Sequence, residues 1–145
     1  MSTPRTILLL HGPNLNLLGT REPSVYGSAT LADHVRTATE AAQKHGASVV
    51  AMQSNAEHEV IDIVQNANGK YDAIIINPGA LTHYSWSLHD ALRSFAGPIV
   101  EVHISNPAAR ENFRHTSVVA PVATGTISGF GGDGYRLAVA ALFAS

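Results

Sequence analysis

The sequence predicts a three-layer α/β sandwich with a five-stranded parallel sheet at its centre, and three observations predict it. Four short runs, residues 6–10, 49–52, 73–76 and 99–104, are nearly continuous in Ile, Val and Leu, as strands covered on both faces are. Between them, apolar residues recur at helical spacing and the stripes end at glycine. Strand and helix alternate along the whole chain, which implies right-handed crossovers and helices on both faces of the sheet.

The elements follow in order. After the first strand, Leu31, Val35, Ala38 and Ala42 make a helical stripe that closes at Gly46, and Thr30 with Asp33 reads as a capping box at its start. The run 49–52 is the second strand. Ser54 with Glu57 reads as another capping box, ahead of a stripe of Val60, Ile61, Val64 and Ala67 that closes before Gly69. The run 73–76 leads to a third stripe, Leu88, Ala91, Leu92 and Phe95, ended by Gly97-Pro98. After the strand at 99–104, a short helix near 108–113, a weaker fifth strand near 117–120 and a last helix over 133–143 complete the set. Size and element count select the flavodoxin-like strand order 2-1-3-4-5. No repeat, linker or low-complexity tract interrupts the chain, so residues 1–145 are expected to form one domain.

Composition narrows the function classes. Of the 145 residues, 45% are hydrophobic and 14% charged, which argues against disorder and hints at surfaces covered in an oligomer. A net charge of -2 gives no basic footprint for nucleic acid. The absence of cysteine excludes a disulfide framework and thiolate chemistry, and fits a reducing compartment. The apolar run near the N-terminus is four residues, against about 7–15 for a signal peptide and about 20 for a membrane helix. A cytoplasmic protein that binds no membrane is the expectation.

In a sandwich of this kind, ligands bind outside the carboxyl ends of the strands. Polar residues gather there: His11, Gly12, Pro13 and Asn14 after the first strand, Gln53, Ser54 and Asn55 after the second, Asn77-Pro78-Gly79-Ala80 after the third, and Glu101, His103 and Ser105 on the fourth. Any one of these could be turn chemistry; four strand ends together point to a site. Glu101 and His103 sit two apart in an otherwise apolar strand and so share a face. A carboxylate there orients an imidazole and favours its protonated form, which suits a general acid; a buried salt bridge at a sheet edge is the structural alternative. Ile104-Ser105-Asn106-Pro107 then opens a short helix, whose first amides suit a carboxylate or phosphate.

The connection from strand one to helix one, residues 11–28, far exceeds the usual two to six residues, as active-site lids do. Its lid portion, about 19–28, carries Arg21 and Tyr26 between Gly19 and Gly27. A phenol, with a reference pKa near 10, serves as a base at neutral pH only where cations stabilise its anion. Arg21 is near in sequence, and Arg114 is a second candidate; a loop-packing aromatic is the plainer reading of Tyr26.

The segment HGPNLNLLGTREPSVYG at 11–27 resembles the signature of the type II 3-dehydroquinases. Gln53-Ser54-Asn55, INPGALTH at 76–83, EVHISN at 101–106, Phe113-Arg114-His115 and the closing stretch 125–135 follow in that family's order, so the resemblance covers essentially the whole chain. It implies dehydration of 3-dehydroquinate to 3-dehydroshikimate through an enolate, in aromatic amino acid biosynthesis or quinate breakdown. Tyr26 as tyrosinate would remove the proton alpha to the ketone, aided by Arg21, with Asn14 beside them. Asn77, Gly79 and Ala80 would hold a water against the enolate, and His103, oriented by Glu101, would protonate the departing hydroxyl. The Ile104 and Ser105 amides would hold the substrate carboxylate. His83, Arg114 and Asp90 would bind ring hydroxyls or shape the pocket, Asp90 from an adjacent subunit. The resemblance also implies a homododecamer built from trimers, with no cofactor and no metal. The chain departs from the pattern at Ala56-Glu57-His58, where His-Glu-Gly is expected, and at Tyr84 and Trp86, which are bulkier than expected. Neither departure removes a catalytic residue.

Other readings fall short. Gly129-Phe130-Gly131-Gly132-Asp133-Gly134 fits G-x-G-x-x-G, yet lacks the following strand and distal acid of an NAD site. Eight histidines include no H-E-x-x-H, and no G-x-S-x-G elbow occurs. Lys44 and Lys70, the two lysines, fall towards the edge away from the site, which disfavours a Schiff base. A flavin- or nucleotide-binding module would want a short Ser/Thr-rich phosphate loop after strand one, and a phospho-receiver a carboxylate where Asn77 stands.

Overall fold

Four apolar runs and a fifth strand assemble into a parallel sheet with the expected order 2-1-3-4-5. In the computed structural model, which describes residues 3–20 and 22–144, the strands are β1 (Thr6–His11), β2 (Ser48–Gln53), β3 (Ala73–Asn77), β4 (Ile99–His103) and β5 (Gly125–Ser128). The helices are α1 (Pro23–Tyr26), α2 (Leu31–Gln43), α3 (Glu57–Gln65), α4 (Trp86–Arg93) and α5 (Asp133–Phe143).

Because side chains alternate along a strand, each central strand feeds two cores. Ile7, Leu9, Ala73 and Ile75 face Ala38 and Ala42 of α2 and Tyr135, Ala138 and Val139 of α5. Leu8, Leu10, Ile74 and Ile76 face Val60 and Val64 of α3 and Leu88 and Leu92 of α4. The Ile and Leu residues among them are fully buried, each stabilising the fold by about 1.5–3 kcal/mol. Thr30 and Asp33 form the expected capping box at α2. No helix among the described residues is long and apolar enough to cross a membrane.

Four local expectations are corrected. The fifth strand is not at 117–120 but at Gly125–Ser128; the SVVA stretch is irregular chain whose Val118 and Val119 are buried. The helix expected near 108–113 is two 3-10 turns, Pro107–Ala109 and Asn112–His115, separated by extended backbone at Arg110. Ser54 and Glu57 form no capping box: the N-cap of α3 is Ala56, Ser54 donates to Glu59, and Glu57 accepts from Ser85. Finally, β2 is an edge strand and is not covered on both faces, with Val50 39% and Met52 38% exposed.

Candidate active site

The strand register brings the site together. His11, Gln53 and Asn77 stand abreast at the carboxyl ends of β1, β2 and β3. The turns leaving β1 and β3 press against each other so closely that glycine is required in both. A Cβ on Gly12 would lie 2.2 Å from the Pro78 carbonyl oxygen, and one on Gly79, at φ +62°, 2.9 Å from that of Pro13. Gln53 Nε2 donates to the Gly12 carbonyl at 3.2 Å, and Asn55 Oδ1 accepts from the Asn14 amide at 2.9 Å. These bonds hold Asn14 in a left-handed conformation, φ 71°, at the mouth of the cleft.

On β4 the pair expected to share a face does so. His103 Nε2 donates to Glu101 Oε2 at 2.5 Å, and Glu101 is 1% exposed. Thr82 Oγ1 also donates to Oε2, and the Ser117 hydroxyl lies 3.0 Å from each carboxylate oxygen. Burial alone would raise the Glu101 pKa. The hydrogen bond and charge of His103, then the Thr82 and Ser117 hydroxyls, outweigh it and hold the carboxyl below its usual value. An ionised carboxylate therefore backs the imidazole, and Nδ1 is the ring nitrogen left to exchange a proton.

Tyr26 comes from α1, the turn inside the long connection. Arg110 Nη1 donates to its hydroxyl at 3.0 Å and to Ser105 Oγ at 3.2 Å, while the guanidinium carbon sits 5.2 Å from the phenol ring centre. Among the described residues Arg110 thus places a cation on the phenol; Arg21, the first candidate from sequence, lies outside them, and Arg114, the second candidate, is engaged elsewhere. Arg114 instead pairs with Glu111, its Nε at 3.2 Å from the carboxylate.

A narrow cleft, with about 60 Å³ of free volume, joins these groups. Asn14, Tyr26 and His103 line it from three directions, with Glu101 behind His103. Asn77, Gly79, Ala80 and His83 from the turn after β3, and Ile104, Ser105, Arg110 and Arg114 from the chain after β4, also line it. The Thr116 carbonyl accepts from His83 Nδ1 at 2.8 Å, which makes Nδ1 a protonated nitrogen of the ring and fixes the ring's orientation. Asp90 is exposed on α4 and does not line this cleft, and Arg21 lies outside the described residues.

Residues 5–143 match the family model Dehydroquinase class II. The chain belongs to the class II dehydroquinases. It is 59% identical over 136 residues to the 3-dehydroquinate dehydratase of Herminiimonas arsenicoxydans, covering 93% of this chain and 94% of that one. It is 54% identical over 137 residues to that of Dictyoglomus turgidum, covering 94% of each. Among solved structures, the type II dehydroquinase of Butyrivibrio crossotus superposes with TM-score 0.94 at 43% identity, covering 99% of this chain and all of that one. The type II dehydroquinase of Propionibacterium acnes gives 0.91 at 43% identity, covering 98% and 97%.

Three residues of this dehydroquinase cleft escaped the sequence reading. Arg110 falls in the short helix expected near 108–113, and it reaches Tyr26 from the extended backbone that breaks that helix. Thr82 falls inside the INPGALTH stretch and Ser117 begins the expected fifth strand, and neither carries a predicted role. Their role as donors to Glu101 depends on contacts across 19 and 16 residues of sequence.

Proposed function

We infer that this chain is a 3-dehydroquinate dehydratase, a hydro-lyase that converts 3-dehydroquinate reversibly to 3-dehydroshikimate and water. The observation that carries the mechanism is the arrangement of two groups on one cleft: a phenol under a guanidinium, and an imidazole backed by a buried carboxylate.

Tyr26, as phenolate, removes the proton alpha to the substrate ketone, and the electron pair moves onto the ketone oxygen as an enolate. Arg110 stabilises the phenolate, and Arg21 adds a second guanidinium. The enolate oxygen is met by a water held at Asn77, Gly79 and Ala80, an oxyanion-hole arrangement with Asn14 at its edge. The enolate then collapses, expelling the beta hydroxyl, which takes a proton from His103 and leaves as water. Glu101 keeps the imidazole oriented and stabilises its protonated form. The Ile104 and Ser105 amides hold the substrate carboxylate, while His83 and Arg114 bind ring hydroxyls. The segment 19–28 closes over the cleft as a lid on the single catalytic domain.

Exposed Tyr84 and Trp86 flank the start of α4, and Asp90 is exposed on that helix and does not line the cleft. These features support assembly as a homododecamer of trimers, in which Asp90 enters a neighbour's site. A cytoplasmic enzyme of aromatic amino acid biosynthesis or quinate breakdown follows from the chemistry, which both routes share.

The test is ultraviolet detection of the conjugated enone, with pure protein, 3-dehydroquinate, a chelator and no added cofactor. Steady formation of the enone is expected; no absorbance change would contradict the assignment.

A further inference from the structure

Behind the cleft wall, a polar chain runs from Asn77 to two buried residues that the mechanism above does not use, Tyr135 and His11. Asn77 is 3% exposed, and its carboxamide is held at both ends: the Gly79 amide donates to Oδ1 at 3.2 Å, and Nδ2 donates to the Tyr135 hydroxyl at 3.1 Å. The Gly79 N–H needs an acceptor, so this bond decides which end of the carboxamide is oxygen. Tyr135 is fully buried, and its hydroxyl lies 2.8 Å from His11 Nε2. Since the hydroxyl accepts from Asn77, its own proton is directed at His11.

The charge states agree with that direction. Burial, then the neighbouring His34, pushes the His11 imidazole down to about 3, so it is neutral and can accept at Nε2. Burial pushes the Tyr135 phenol well above its usual range, so it keeps its proton. His34 stacks on the Tyr135 ring at 5.1 Å and limits its movement. The arrangement carries a cost: His11 Nδ1 is buried with no hydrogen-bond partner among the described residues. An apolar pair would fill the same space without that cost. The chain's one outlet to the cleft is Asn77.

We propose that Tyr135 and His11 are positioning residues, which set the orientation of the Asn77 carboxamide through the relay Asn77 to Tyr135 to His11. The proposal rests on the reading of Asn77 as part of the dehydration site. Without the Tyr135 hydroxyl, Nδ2 loses its anchor and the carboxamide is held by the Gly79 bond alone. Small misplacements of this kind act on the chemical step.

Turnover of 3-dehydroquinate by wild type, Tyr135→Phe and Asn77→Ala, with thermal unfolding of each, tests this. Tyr135→Phe keeps the ring and its packing. Its kcat is expected to fall by on the order of 10- to 10²-fold with KM little changed. A merely structural hydroxyl would shift the unfolding temperature and leave kcat alone, and that result overturns the proposal. Should Tyr135→Phe fail to fold, His11→Gln, which keeps an acceptor, is expected to retain more turnover than His11→Leu; equal turnover in the two overturns it. Asn77→Ala separates the layers. If its kcat is undiminished, the reading of the site falls and the relay with it. If it collapses while Tyr135→Phe is unaffected, the relay alone falls.

Discussion

Glu101 stands in a strand whose other residues, His103 apart, are Ile and Val, and every donor around it serves to keep it ionised. Glu101→Gln would replace an acceptor with an amide group that donates, facing His103, Thr82 and Ser117. The imidazole loses its counter-charge and its orientation, so kcat is expected to fall on the order of 10²–10⁴-fold, read in the enone assay. Arg110→Met removes the guanidinium from the Tyr26 hydroxyl while keeping the length of the side chain. A loss of at least about tenfold in kcat is expected if electrostatic stabilisation of the phenolate drives proton removal, and unchanged turnover would show that Arg110 is a packing residue. At this scale the sequence disclosed Glu101 and His103, because a charged pair in an apolar strand needs explaining. It did not disclose Arg110, because an arginine in a short polar stretch ordinarily faces water.

Among the elements, the two turns at the ends of β1 and β3 carry the geometry of the cleft. Gly12→Ala would force the new methyl into the Pro78 carbonyl, at 2.2 Å, and the turns must separate. Destabilisation of about 1–3 kcal/mol is expected, measurable by urea unfolding, together with loss of turnover, since Asn14 and Asn77 would move apart. The long apolar strands and the Thr30–Asp33 cap were legible because their signals are local. The fifth strand was not. GTIS at β5 is short, polar and at the sheet edge, whereas SVVA at 117–120 has the β-branched composition of a strand. Tertiary packing assigns them the other way: Val118 and Val119 are buried as irregular chain, while β5 pairs with β4 at Glu101 and His103. The Ser54–Glu57 box failed for a similar reason, as Ser85 claims Glu57 from 28 residues away.

For the molecule as a whole, exposed Tyr84, Trp86, Phe113 and Phe130, with the open β2 edge, are apolar surfaces that assembly would cover. Sedimentation is expected to give a particle twelve times the 15.3 kDa chain mass; a monomer would refute the dodecamer. Stability should fall with acid, and the sign can be worked out. Below pH 6.5 the unfolded chain takes up a proton on His11 that the folded chain, with this imidazole pushed down to about 3 by burial and then by His34, does not. The unfolded state then binds more protons, so stability falls by up to about 1.4 kcal/mol per pH unit from this group between 6.5 and 3. Below 4.5 Glu101 adds to the loss: its stabilisation is present above that value and disappears as pH falls through its lowered pKa. The urea midpoint should therefore be lower at pH 5 than at pH 7, and an unchanged midpoint would contradict the neutral burial of His11. The flavodoxin-like topology needed only the order of the elements to be read, whereas the assembled cleft needed contacts between distant residues that no local pattern encodes. The central claim is that the Tyr26 phenol is the base, and Tyr26→Phe tests it most directly. With the product's dissociation constant measured beside turnover, binding should persist while kcat drops by at least about 10²; turnover at the wild-type rate would contradict the account.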